Sequence, residues 1–170
     1  MNDLLNALPD DARVWLYVAD RPLTKDEQAA LTNGLAAFFR SWHTHKIPVV
    51  GGAAVLHDQL LAVAGTTPDG PDLSGCGIDQ HVREVEQLGS RLGVTWLGGL
   101  DVAFLRPNAE RLETAMRPAF KRGLAEGTIP MDSRVLDVAT STLGALRRGE
   151  ALRPVADGPF ARWIPDVPAL

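Results

Sequence analysis

Cys76 is the only cysteine of the 170-residue chain and the residue best suited to covalent chemistry. It lies in the sequence LSGCGID, where a helix is predicted to begin. The apolar face of that helix, at helical spacing, would consist of Ile78, Val82, Val85, Leu88 and Leu92. A cysteine at a helix N-terminus meets the positive end of the helix dipole and unpaired amides, and both favour the nucleophilic thiolate. Cys76 is therefore a candidate nucleophile.

The residues around Cys76 have the types expected of a binding loop. Gly75 and Gly77 lack side chains, so a ligand can approach the backbone closely. Their amides, together with Ser74, are candidates for holding an oxyanion on a substrate. Asp79 would disfavour a nearby thiolate unless its carboxylate orients a histidine. A buried and unreactive Cys76 is the alternative, since lone cysteines commonly act as small apolar side chains.

Apolar periodicity predicts the elements that position this loop. In chain order they are a strand at 13–19, a helix from 24, a hairpin of 49–56 and 59–65, the Cys76 helix, and a strand at 100–105. The helix start rests on the capping box formed by Thr24 and Glu27. The order β-α-β-β-α-β is typical of a ferredoxin-like α/β (α+β) core, which we place at residues 10–106 of a single domain, 1–170.

Residues 107–150 are predicted to form a helical extension with two helices. Asn108 would cap the first, which Pro118 would kink or end, and Asp132 or Ser133 would cap the second. Residues 151–170 are read as an extended, proline-rich tail. The core strands are apolar on both faces, so the extension, or a second subunit in a homodimer, must cover the open face of the sheet.

Chain direction in this fold assigns residues to the two ends of the sheet. His45 at the end of the first helix, Arg13 and Arg106 would share an end with Cys76, whereas His57 would lie at the other end. One hypothesis is a thiol enzyme for acyl transfer, hydrolysis or sulfur transfer. In it Cys76 is the nucleophile, His45 its base and Asp79 an orienting carboxylate, and the substrate anion is bound by Ser74, Gly75, Gly77, Arg13 and Arg106. The other hypothesis is a non-catalytic or regulatory module that binds a small molecule or a protein.

Several runs resemble, in order and spacing over most of residues 8–105, a family of small, functionally uncharacterised bacterial proteins. The runs are LPDDARVWLYVADRPLT, FFRSWHTH, LAVAG, SGCGID and LDVAF. The family marks, Trp-x-x-His and Ser-Gly-Cys-Ser-Ile-Asp, fall on Trp42 with His45 and on residues 74–79. Lys46 stands where a glycine is usual, and Gly77 replaces the second serine. The resemblance therefore implies that His45 and Cys76 matter together, but it implies no known reaction.

Composition and missing motifs narrow the function classes. Some members of that family are labelled ABC transporter ATPase, but this chain has no G-x-x-x-x-G-K-[ST] phosphate loop. It also lacks G-x-G-x-x-G, G-x-S-x-G and C-x-x-C, so no cofactor and no metal are expected. A net charge of −4 disfavours nucleic-acid binding. Without a signal peptide, a membrane-length apolar run or a second cysteine, a cytoplasmic protein is expected.

Overall fold

The structure, a computed structural model, describes residues 3–163 and combines helices with antiparallel sheets, an α+β fold. The helices are α1 (Asp3–Asn6), α2 (Lys25–Phe39), α3 (Gly75–Arg91), α4 (Arg117–Ala125) and α5 (Leu143–Arg147). The strands are β1 (Arg13–Val18), β2 (His43–Thr44), β3 (Ile47–Pro48), β4 (Val50–Leu56), β5 (Leu60–Thr66), β6 (Asp101–Leu105), β7 (Glu113–Met116), β8 (Arg134–Leu136) and β9 (Leu152–Pro154).

The first sheet has the strand order β1-β5-β4, and both pairings are antiparallel. The predicted hairpin of β4 and β5 is confirmed. Its turn consists of His57 and Asp58, whose φ angles of 50° and 55° are in the left-handed region that two-residue hairpin turns require. The predicted start of α2 is confirmed as well, because Thr24 and Glu27 form the reciprocal capping box.

The ferredoxin-like arrangement is not confirmed, because the strand order differs. Residues 101–105 do form a strand, β6, but it belongs to a second antiparallel sheet of order β7-β6-β8-β9. Just before β6 the chain does reach the edge of β1, where the Leu97 amide donates to the Val18 carbonyl. Both faces of β6 are apolar and both are buried: one packs on the first sheet and the other on helix α4.

The apolar clusters define four layers, in the order α2 with α3, first sheet, second sheet, α4. Leu31 of α2 and Val85 of α3 pack on the outer face of the first sheet. The inner faces of the two sheets share one cluster, to which Ala62 of β5 and Leu105 of β6 belong. On the far side, Phe120 of α4 packs against the second sheet. The face of the first sheet that the sequence left open is therefore covered within one chain.

The C-terminal region is a mixed extension, so the prediction of two helices alone was wrong. Asn108 lies in a turn with φ 60° and caps no helix. Pro118 lies in the first turn of α4, where its missing amide costs no helical hydrogen bond. Ser133 is buried and precedes strand β8, and the last helix, α5, is capped by Thr142. Successive residues of β8 pack on opposite sides, Val135 with α4 and Leu136 with the inner face of the first sheet, as in a strand.

The predicted tail also contains regular structure where it is described. Residues 152–154 form β9 on the edge of the second sheet, and two short 3₁₀ turns follow at Val155–Asp157 and Ala161–Trp163. The remaining predicted tail, 164–170, lies outside the described residues. Across residues 3–163, no helix is both long enough and apolar enough to traverse a bilayer.

Candidate functional site

Cys76 is the second residue of α3, and its side chain is exposed. Ser74 caps the helix, and its Oγ accepts a hydrogen bond of 3.3 Å from the Gly77 amide. The first helical hydrogen bond runs from the Ile78 amide to the Ser74 carbonyl. The thiol therefore lies in the first turn of a 17-residue helix, at the positive end of its dipole.

The two glycines beside Cys76 have different surroundings. A Cβ atom on Gly75 would meet no atom within 4 Å, so this backbone faces open space. A Cβ atom on Gly77 would lie 3.0 Å from the Thr44 Cβ and 3.3 Å from the His43 carbonyl. The Gly77 carbonyl also accepts a 2.7 Å hydrogen bond from the Trp42 indole nitrogen. Gly77 thus packs against protein, and the expectation that it admits a ligand was wrong.

The short hairpin of β2 and β3 packs against the start of α3. Thr44 Oγ1 accepts a hydrogen bond from the Ser74 amide at 2.8 Å and donates one to Ser74 Oγ at 2.7 Å. His43 and His45, on either side of Thr44, are both exposed. His45 does not end a helix as predicted, because it and Lys46 form the hairpin turn with φ angles of 47° and 69°. The hairpin that packs against the start of α3 therefore carries two exposed histidines.

The remaining predicted site residues are not assembled around the sulfur. Among the hydrogen bonds of residues 3–163, none involves the Cys76 thiol, and Asp79 is exposed on the next turn. Arg13 lies over the Trp15 ring at 5.3 Å. Arg106 donates to Glu113 at 2.7 Å and to the Thr128 carbonyl at 2.8 Å. Its placement beside Cys76 was wrong, because β6 joins the second sheet.

His81, on the inner side of α3, is fully buried among aromatic rings. Its Nε2 forms a 3.0 Å hydrogen bond with the Tyr17 hydroxyl, and the Trp15 ring lies 4.2 Å away. Burial lowers the pKa of His81 to about 4, and the nearby Arg13 charge acts in the same direction. Burial also raises the pKa of Tyr17. The His81 ring also packs 5.4 Å from the Trp42 ring, so this pair belongs to the core.

A cleft beside the hairpin is open and has both polar and apolar lining residues. It has a volume of about 340 Å³ and contains His45 and Ser74, but Cys76 does not line it. The other lining residues include Asp69 and Asp72, both exposed. The lining of this cleft therefore includes an imidazole and two carboxylates but not the thiol.

A second cavity lies between the two sheets, and sequence reasoning did not anticipate it. We call it the interlayer cavity; its volume is about 380 Å³. Its apolar wall includes Leu16, Val18, Leu97, Ala103, Leu136 and Phe160. The volume and the apolar wall are those of pockets that bind small molecules. Val138, which also lines the cavity, is 61% exposed, and the nearby Leu100 and Met116 are exposed by 65% and 58%.

Arg117 is the notable polar group of the interlayer cavity. Its Nε is buried and has no hydrogen-bond partner in the described part of the chain. Its guanidinium lies 6.0 Å from the Phe160 ring centre. Arg117 is the first residue of α4, and a signal for it existed in the sequence: a proline commonly occupies the first turn of a helix, and Pro118 follows directly. Nothing in the sequence placed this turn against β1.

Neither a metal centre nor a known relative explains these sites. In the range 3–163, His, Cys, Asp and Glu side chains form no group of three or more that could hold a metal ion. No family model, curated protein or solved structure matches the chain. The function must therefore be argued from the two sites themselves.

Proposed function

We propose that this protein is a non-catalytic binding module that holds a small molecule in the interlayer cavity. The observation that supports this most directly is an apolar space of about 380 Å³ that Arg117 also lines. The ion pairs of the described residues do not include its guanidinium. A charged donor on an apolar wall can orient a ligand that carries an acceptor group.

The types of residue that line the cavity support binding over catalysis. The described lining contains no cysteine, histidine, serine, lysine or tyrosine, and so no side chain that ordinarily serves as nucleophile except two carboxylates. One of these, Asp137, already accepts hydrogen bonds from the Ala139 amide at 3.0 Å and from Arg153 at 3.4 Å. The cavity therefore offers shape, apolar surface and charge, which are sufficient for recognition.

The test measures the affinity of indole, a small neutral apolar probe, for the native protein. Ala103 is 7% exposed and lines the cavity, so Ala103→Leu adds methyl groups to that space. We expect the variant to weaken indole binding at least about tenfold, since a filled cavity has no room for the ring. Ala119→Leu, on α4 away from the lining, is the matched control and should bind as the wild type does. Equal indole affinity in all three proteins would contradict the proposal.

Thiol chemistry at Cys76 is a second candidate. It is supported by the exposure of the thiol in the first turn of α3 and by the hairpin that carries His45, which is hydrogen-bonded through Thr44 to the cap of that helix. In this candidate function Cys76 is the nucleophile, His45 the base and Asp79 an orienting carboxylate. Native protein should then react with iodoacetamide at pH 7 faster than the unfolded chain, since a helix N-terminus favours the thiolate.

The control for the thiol candidate uses two histidine variants. His45→Gln should slow the alkylation of native protein, whereas His57→Gln should not, because His57 lies in the turn at the opposite end of the first sheet. A native rate no higher than the unfolded rate, or equal rates in the two variants, would remove this candidate.

A further inference from the structure

Four charged side chains line the interlayer cavity, and two of opposite sign, Arg117 and Asp101, do not pair with each other. Asp101 begins β6 and lies opposite Met116 in the register of β6 and β7. Arg117 follows Met116 directly, and its amide donates to the Leu100 carbonyl at 2.9 Å. Both side chains line the cavity, yet the ion pairs among the described residues include neither of them. Two opposite charges therefore line the same cavity, one from the start of β6 and one from the residue after β7.

The other two charges of the cavity are an ion-paired carboxylate and a solvent-exposed guanidinium. Asp137 forms an ion pair with Arg153 at 3.4 Å. Arg162 is exposed, so water can solvate its guanidinium. Arg117 and Asp101 are only partly exposed and form no ion pair among the described residues, which leaves them as the charges with unused capacity. A ligand that satisfied only one of them would leave the other uncompensated in a partly buried site, which is costly.

The apolar wall determines which kind of ligand fits between the Arg117 and Asp101 charges. Leu16 and Val18 of β1 face the cavity from one sheet, and Leu136 of β8 faces it from the other. At about 380 Å³ the space is near the lower end of the range for ligand pockets. It therefore suits a compact molecule with one apolar group, and a long chain or a nucleotide would exceed it.

We infer that the interlayer cavity binds a small zwitterion with an apolar side chain, a hydrophobic amino acid in chemical class. Its carboxylate accepts hydrogen bonds from the Arg117 guanidinium, whose planar fork matches a carboxylate. Its ammonium donates to Asp101, and its side chain lies against Leu16, Val18 and Leu136. The inference rests on the proposed binding function and specifies the ligand of the same cavity.

The experiment uses calorimetric titration of the full chain with four forms of one molecule. They are L-phenylalanine, N-acetyl-phenylalanine without the ammonium, phenylalaninamide without the carboxylate, and N-acetyl-phenylalaninamide without either. We expect L-phenylalanine to bind tightest and each singly blocked form to bind at least about tenfold more weakly, since each block removes a hydrogen bond between charged groups. The doubly blocked form should bind weakest.

Two variants assign each charge of the ligand to its partner. Arg117→Met should weaken L-phenylalanine and N-acetyl-phenylalanine but leave phenylalaninamide unchanged. Asp101→Asn should weaken L-phenylalanine and phenylalaninamide but leave N-acetyl-phenylalanine unchanged. Arg122→Met, an exposed arginine of the same helix α4 outside the cavity lining, is the matched control and should change none of the four. If Arg117→Met does not fold, Arg117→Lys keeps the charge, loses the planar fork and should weaken only the two carboxylate ligands.

The outcomes separate this inference from the proposed function. Equal affinity for all four forms, or equal effects of the variants on all four, would overturn the zwitterion. So would the absence of binding by all four forms when indole still binds and Ala103→Leu still blocks it, and the binding function would then stand. If indole also binds no differently in Ala103→Leu, both the function and the inference are wrong.

Discussion

Thr44 and Ser74, thirty residues apart in the chain, form two hydrogen bonds with each other. The Ser74 amide donates to Thr44 Oγ1 at 2.8 Å, and Thr44 Oγ1 donates to Ser74 Oγ at 2.7 Å. Ser74 Oγ in turn caps α3 through the Gly77 amide. One buried threonine therefore joins the β2–β3 hairpin to the start of the helix that carries Cys76.

Replacing Thr44 should loosen this junction. Thr44→Val keeps the shape but leaves the Ser74 amide without its partner, so we expect a loss of about 1–3 kcal/mol in the free energy of unfolding. Thr44→Ser retains the hydroxyl and should lose less, mainly the buried methyl group. Urea denaturation of both variants measures the difference. Equal losses in the two variants would show that the hydroxyl makes no net contribution.

The two glycines beside Cys76 should respond oppositely to alanine. Gly77→Ala places a Cβ 3.0 Å from that of Thr44, so the pinned hairpin must shift, at a cost of about 1–3 kcal/mol. Gly75→Ala meets open space at the first position of the helix and should be neutral or stabilise by up to about 1 kcal/mol. Thermal unfolding of the pair measures this. A destabilised Gly75→Ala together with a neutral Gly77→Ala would contradict the described packing.

His81 should make stability depend on pH. Its pKa is lowered from 6.5 to about 4 by burial, so below pH 6.5 the unfolded chain takes up a proton that the folded chain does not. The stability that the neutral imidazole provides is present above pH 6.5 and is lost as the pH falls towards 4, by roughly 3 kcal/mol at most. Chemical denaturation at several pH values between 7.5 and 4 measures it.

The control for this pH effect is a second histidine. His81→Gln should remove the dependence, because it does not titrate and its amide can still hydrogen-bond the Tyr17 hydroxyl. His43→Gln, at an exposed position, should retain the wild-type dependence. Parallel pH profiles in wild type and His81→Gln would show that His81 takes up its proton equally in both states.

The local part of the fold could be predicted from the sequence. The α2 capping box and the hairpin turn at His57 and Asp58 depend on residues that are adjacent or three apart. The strand predicted at 100–105 is also present, as β6, but the sheet to which it belongs could not be predicted. Apolar residues on both faces show that a strand is buried and do not show which layers bury it. Strands such as β8, of three residues, are too short for a period to be read.

The site predictions have the same limit. That Cys76 lies in the first turn of a helix followed from its own neighbours, whereas the position of His45 depended on where α2 ends. The helix ends at Phe39, so Trp42 turns inward to the Gly77 carbonyl, and His45 enters a hairpin. Arg117 and Asp101 line the same cavity because β6 and β7 pair in the second sheet. The residues next to either of them in the sequence do not indicate this pairing.

Occupancy of the space between the two sheets can be measured from the amide resonances of the isotope-labelled protein during titration with indole. Binding in the interlayer cavity should produce saturable shifts that concentrate at residues 97–103 and 136–139 and at Arg117, which surround it. Saturable shifts confined to the hairpin and residues 72–78, or no saturable shifts at the cavity, would contradict it.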